Sequence, residues 1–172
     1  MKKAFSLLAA VFLIIASGCE KQSEKKFAEA KIPESFTSII EVSCKEIAMT
    51  AKITHTSFGN GKIKIISPEI LEPLEMTFVD EKCEVVYDSL QFETDSERFP
   101  QVKIGSVLMQ TLSYIGTGID IEKTSDDSNI CYSGSCEHGM FVLKQNPESG
   151  NLTEFTIESM DLHIKFTEFN AE

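Results

Sequence analysis

From residue 36 onward the dominant hydrophobic period is two, the mark of half-buried strands in an antiparallel sheet. Ile47, Met49, Ala51 and Ile53 alternate with Ala48, Thr50, Lys52 and Thr54, and the run stops at FGNG, where Gly59, Asn60 and Gly61 read as a turn. KIKIIS then puts Ile63 and Ile65 on one face. Pro68 and Pro73 bracket a loop, after which Leu74, Met76 and Phe78 stand opposite Glu75 and Thr77. Cys83, Val85 and Tyr87 alternate with Glu84, Val86 and Asp88, and Leu90 and Phe92 continue the meander. The rhythm returns late in the chain, with Phe141 and Leu143 in MFVLKQ, a turn at NPESGN, a strand in LTEFTIES, and Leu162, Ile164 and Phe166 against Asp161, His163 and Lys165.

Residues 101–115 break this pattern. Ile104, Val107, Leu108, Thr111, Leu112 and Ile115 recur at helical spacing, so one amphipathic helix is predicted to lay an apolar stripe on the sheet. Pro100 precedes it, where a proline costs a helix nothing. The following GTGIDIEKTSDDSN reads as an acidic mobile loop. The expected fold is mainly β, an antiparallel curled sheet covered by one or two α-helices. The apolar faces of some nine strands exceed what a helix of about 15 residues, near 22 Å long, covers, so either the sheet curls on itself or a cavity remains.

The first 18 residues have another build: Lys2 and Lys3, an apolar run from Ala4 to Ala16 broken only by Ser6, then Ser17 and Gly18. This is the layout of a secretory signal, too short at about 20 Å to span a hydrocarbon core of about 30 Å. Cys19 follows the small residues, and IASGCE resembles a bacterial lipobox with cleavage between Gly18 and Cys19. Ala16 holds the place where that pattern usually has Leu. The resemblance implies a diacylglyceryl group on Cys19; the alternative is a plain signal peptide with an incidental cysteine. Residues 19–35 are rich in charge and read as a polar tether, leaving 36–169 as one folded domain.

Removal of residues 1–18 leaves 14 Lys and Arg against 27 Asp and Glu. Such a surface repels phosphate backbones and anionic headgroups, which excludes nucleic acid as a partner and leaves membrane attachment to acyl chains. Four further cysteines remain in an exported chain, and Cys131 and Cys136, joined by YSGS, are expected to close a small disulfide loop. Cys44 and Cys83 are expected at opposite ends of the sheet, out of bridging range. His55, His138 and His163 are scattered, and no metal or cofactor site is expected. No nucleophile elbow, P-loop or dinucleotide fingerprint is present, and Asp126 and Asp127 sit in the acidic loop, so no catalytic residues are expected and the chain is read as not an enzyme.

Together, the lipobox, the KIKIISPE strand and loop, the LEMTF strand and the NPESGNL turn resemble the small LolA-like lipoproteins of Firmicutes, over about residues 36–169. The resemblance implies an incomplete β-barrel, a lipoprotein-carrier-like half-barrel whose apolar side is plugged by helices and accepts acyl chains. On that expectation the ligand cavity is lined by Ile47, Met49, Ile53, Ile63, Ile65 and Leu74 from the early strands. Met76, Phe78, Val85 and Tyr87 continue it, Val107, Leu108 and Leu112 face it from the helix, and Phe141, Leu143, Leu162, Ile164 and Phe166 complete it. The expected function is a lipid-anchored protein on the extracytoplasmic face of the cell membrane that binds a lipid or other amphiphile. The alternative is a non-catalytic scaffold for another envelope protein, for example in spore or cell-wall processes.

Overall fold

A computed structural model describes residues 31–57, 59–79, 82–94, 98–126 and 128–171 of the 172-residue chain. The signal segment, Cys19, most of the expected tether and Asp127 lie outside the described residues. Six strands follow one another first: β1 (Phe36–Cys44), β2 (Ile47–Ser57), β3 (Asn60–Ser67), β4 (Leu74–Val79), β5 (Lys82–Tyr87) and β6 (Leu90–Thr94). One helix, α1 (Pro100–Thr117), separates them from β7 (Glu122–Ser125), β8 (Ile130–Cys136), β9 (Gly139–Gln145), β10 (Leu152–Ile157) and β11 (Leu162–Ala171). All strands join one antiparallel sheet in the order β6-β5-β4-β3-β2-β1-β11-β10-β9-β8-β7, open at both edges. The fold is therefore mainly β, an antiparallel sheet not closed into a barrel, with one helix among the described residues.

Two meanders meet at a central seam between the first and last strands, where Phe36 pairs with Ala171 and Cys44 with Leu162. The two-residue period carries through: Met49, Ala51 and Ile53 of β2, Ile63 and Ile65 of β3, and Met76 and Phe78 of β4 are buried on the inner face. Lys52, Lys62, Lys64 and His163 project from the other face and are exposed. The turns after β1, β5, β8 and β10 share one end of the sheet, here the lower end. The chain enters β1 at the upper end, and β11 finishes there.

Helix α1 runs from the lower end upward. Pro100 fills its first turn, and Gly118 caps its far end in the left-handed region at φ 66°, its N–H donating to the Ile115 carbonyl. Its closest backbone approach is to β3 and β4, because two glycines remove the side chains that would hold it off. A Cβ on Gly105 would lie 2.4 Å from Phe78 Cζ, and one on Gly61 2.8 Å from Met109 Cε. Val107, Leu108 and Leu112 consequently seal the inner face, each at 3% exposure or less.

Two expectations change. Cys131 and Cys136 do not form a disulfide: both belong to β8, where five residues of extended chain separate their Cα atoms by about 16 Å against the 7 Å a bridge tolerates, and all four described cysteines are free. The expected mobile loop contains β7, an edge strand with every residue exposed. Cys44 and Cys83 do fall at opposite ends of the sheet, on β1 and β5. Ile32, inside the expected tether, is buried at 7%, and the Lys31 carbonyl accepts a 3.2 Å bond from Gln145 Nε2.

Candidate functional site

The expected cavity residues do converge, since every one of them belongs to or packs against a single hydrophobic core. Half are sealed there completely: Ile53, Ile65, Met76, Leu108, Leu112, Phe141, Leu143, Leu162 and Ile164 are each less than 1% exposed. Ile47 and Tyr87 are only partly buried, at the lower end. Tyr87 turns its hydroxyl to the Ile70 carbonyl at 3.0 Å. The inner face is thus filled by its own side chains, and the space that remains lies at its margin, beside the helix.

The larger marginal cleft, about 500 Å³, opens at the lower end between the start of α1 and three turns. Its floor is apolar, from Cys44 and Ile47 of β1 and β2, Ile104 of α1, and Met160. Its rim is basic, with Lys45 from the β1–β2 turn, Arg98 and Lys103 from the start of the helix, and His138 from the β8–β9 turn. His138 also borders a second cleft of about 250 Å³, between Val107, Gln110, Thr111 and Tyr114 of α1 and the end of β8. Thr111 Oγ1 there is buried without a hydrogen-bond partner among the described residues. A third and larger hollow, about 790 Å³, lies on the outer face among Glu41, Ser43, Thr50, His163 and Lys165, next to the 2.6 Å Lys144–Glu154 ion pair. It lies on the polar side of the sheet, away from the helix.

The electrostatics of the lower cleft are readable at Cys44. Burial pushes its thiol up from the ordinary value, Lys45 pulls it down, Asp161 raises it again, and Lys103 lowers it least. Two ammonium groups and one carboxylate, from three different parts of the chain, therefore act on the same thiol. The Cys44 thiol donates to the Met160 carbonyl at 3.4 Å, which ties the β1–β2 turn to the β10–β11 turn under the cleft. Lys45 holds φ 54°, a region L side chains rarely adopt.

The three histidines serve separate purposes. His55 is buried, stacked 5.0 Å from Phe36, with Nδ1 3.0 Å from the Glu34 carbonyl. His163 is exposed on the outer face and His138 half-buried at the cleft. Sequence reasoning missed the basic rim because its members stand at positions 45, 98, 103 and 138, and only the turns bring them together. The usable signal was scarcity, since few basic residues punctuate so acidic a chain.

No protein-family model matches the chain, and no curated protein matches it. Among solved structures, an uncharacterized conserved protein from Thermus thermophilus is similar with a TM-score of 0.50 at 9% identity, over 82% of this chain and 80% of that one. The likeness is one of fold. A LolA superfamily protein from Nitrosomonas europaea matches with a TM-score of 0.45 at 11% identity, over 83% and 90% of the two chains. A DUF1329 family protein from Desulfovibrio piger matches with a TM-score of 0.47 at 8% identity, over 85% and 89%.

Proposed function

We propose that the protein is a lipid-anchored extracytoplasmic lipoprotein, held to the cell membrane through acyl chains on Cys19, which binds an amphiphile at the lower end of its half-barrel and performs no catalysis. The observation that carries this reading is the cleft of about 500 Å³ with an apolar floor and a polar rim, the layout expected of a small-molecule site. The apolar floor of the cleft takes the chain without opening the sealed core behind it, where close contacts at Gly105 and Gly61 hold α1 to β3 and β4. The lipobox and the LolA-like motifs support the anchor and the binding role.

Native mass spectrometry of protein released gently from membranes tests the reading. A co-purifying amphiphile in stoichiometric amount is expected, and metabolic labelling with an alkyne fatty acid is expected to disappear in Cys19→Ser. Persistent labelling in that variant refutes the anchor. A second reading, a scaffold for an envelope protein, draws on the exposed apolar lip of Leu90 at 64%, Phe92 at 39% and Phe99 at 43%. A ligand-free mass with a captured protein decides for it.

A further inference from the structure

The lower-end cleft concentrates positive charge on a molecule that is otherwise strongly negative. The chain carries a net charge of −11, yet three of its 16 Lys and Arg residues, Lys45, Arg98 and Lys103, line this one opening, joined by His138. No Asp or Glu is among the described residues that line it. The first turn of α1, which borders the cleft through Pro100 and Lys103, also carries no acid, so its free N–H groups add positive potential unopposed from within the turn. Glu46, Glu137, Glu158 and Asp161 belong to the same turns but stay out of the lining. A ligand with a neutral head would leave this rim unused, and a free anion would leave the floor of Ile47, Ile104 and Met160 uncovered.

We infer that the cleft recognises the anionic head of a single-chain amphiphile, an acyl carboxylate or an alkyl phosphate monoester, with the head at Lys45 and Lys103 and the chain on the apolar floor. The inference rests on the amphiphile reading above and adds the charge of the head. A cavity of about 500 Å³ falls in the lower half of the range of small-molecule sites, about 300–1,000 Å³, which suits one chain better than a two-chain lipid. Charge-assisted hydrogen bonds from the two ammonium groups fix the head, and burial of the chain supplies the rest of the affinity.

Photo-crosslinking distinguishes the two claims. The full chain, reconstituted in phosphatidylcholine nanodiscs with empty discs as blank, is exposed to diazirine-bearing C16 probes ending in a carboxylate, a phosphate monoester or an alcohol, and labelled peptides are mapped. Either anionic probe is expected to label peptides containing residues 44–47, 100–104 or 159–160 at least about tenfold more than the alcohol. The ratio between the carboxylate and phosphate arms names the head. Lys103→Gln is expected to remove most of that advantage, and Lys64→Gln, on the exposed outer face of β3, to leave it intact. Lys45→Gly guards against misfolding, because glycine accepts the φ of 54° at that turn without strain, so lost labelling there reports lost charge. Equal labelling by all three probes, unchanged in the lysine variants, overturns the charge inference and leaves amphiphile binding standing. Labelling no higher than in empty discs overturns both.

Discussion

Gly105→Ala measures how tightly α1 is seated on the sheet. Two effects of opposite sign compete. Alanine is favoured over glycine inside a helix by about 1 kcal/mol. Against this, the new Cβ would stand 2.4 Å from Phe78 Cζ, 3.0 Å from Cε2 and 3.1 Å from Ile63 Cδ1. Carbon atoms pack at about 3.5–4.0 Å, so the overlap with the Phe78 ring exceeds 1 Å. The ring is rigid and only 3% exposed, so it has nowhere to swing, and such overpacking costs about 1–3 kcal/mol. The expected net loss is about 1 kcal/mol. In a Phe78→Leu background the clashing ring atoms are gone while the propensity gain persists, so Gly105→Ala is expected to stabilise by about 1 kcal/mol, a coupling of about 2 kcal/mol between the sites. Urea unfolding followed by far-ultraviolet circular dichroism supplies all four free energies of the cycle. A stabilising effect of Gly105→Ala in the parent, or simple additivity of the two substitutions, refutes the close seating of the helix.

Non-reducing peptide mapping is expected to find Cys131 and Cys136 unbridged; a bridge between them requires β8 to be broken. Cys83, whose thiol burial pushes up to about 11, is expected to resist iodoacetamide at pH 8 until the protein unfolds, and rapid native alkylation refutes its burial on the inner face of β5. Burial holds the His55 pKa below its ordinary value, so the unfolded chain binds the proton first as pH falls. Stability is expected to be full above about pH 6.5 and to decline as pH falls below it, and His55→Phe, which keeps the stack on Phe36, is expected to flatten that decline in chemical melts.

Much of the sheet was legible because each strand has one dry face. From β2 to β5, and again in β11, every second side chain meets the core, and that requirement prints itself on the sequence as alternation. The stripe of α1 was legible for the same reason. β7 was hidden because all four of its residues are exposed and no face had to be apolar. β8 was hidden behind small residues, which themselves have a cause: a Cβ on Gly134 would lie 2.9 Å from Phe141 Cζ, so the neighbouring strand's ring occupies its place. The hydrogen bond from Tyr132 to Gln145, 2.9 Å and buried, likewise fills positions that look merely polar in sequence. The basic rim was invisible because each of its residues is locally an ordinary turn or helix-start cation. Its chemistry arises only when separate turns reach the same end of the sheet.

The seam between β1 and β11 also sets the order in which the molecule can be completed. Each meander assembles from neighbours in sequence, whereas the seam joins positions such as Phe36 and Ala171, 135 residues apart. Among the described strands this central pair is therefore the last that synthesis permits, and β1 waits with one edge unpaired until β11 has been made. Pairing so distant in sequence raises the contact order, so the seam is the expected slow step of folding. The same adjacency lets the chain be rewired: a short linker from residue 171 to residue 36, with new ends cut in the turn between β9 and β10, turns the seam into an ordinary hairpin. Such a circular permutant should reach the same sheet faster than the natural order of strands allows.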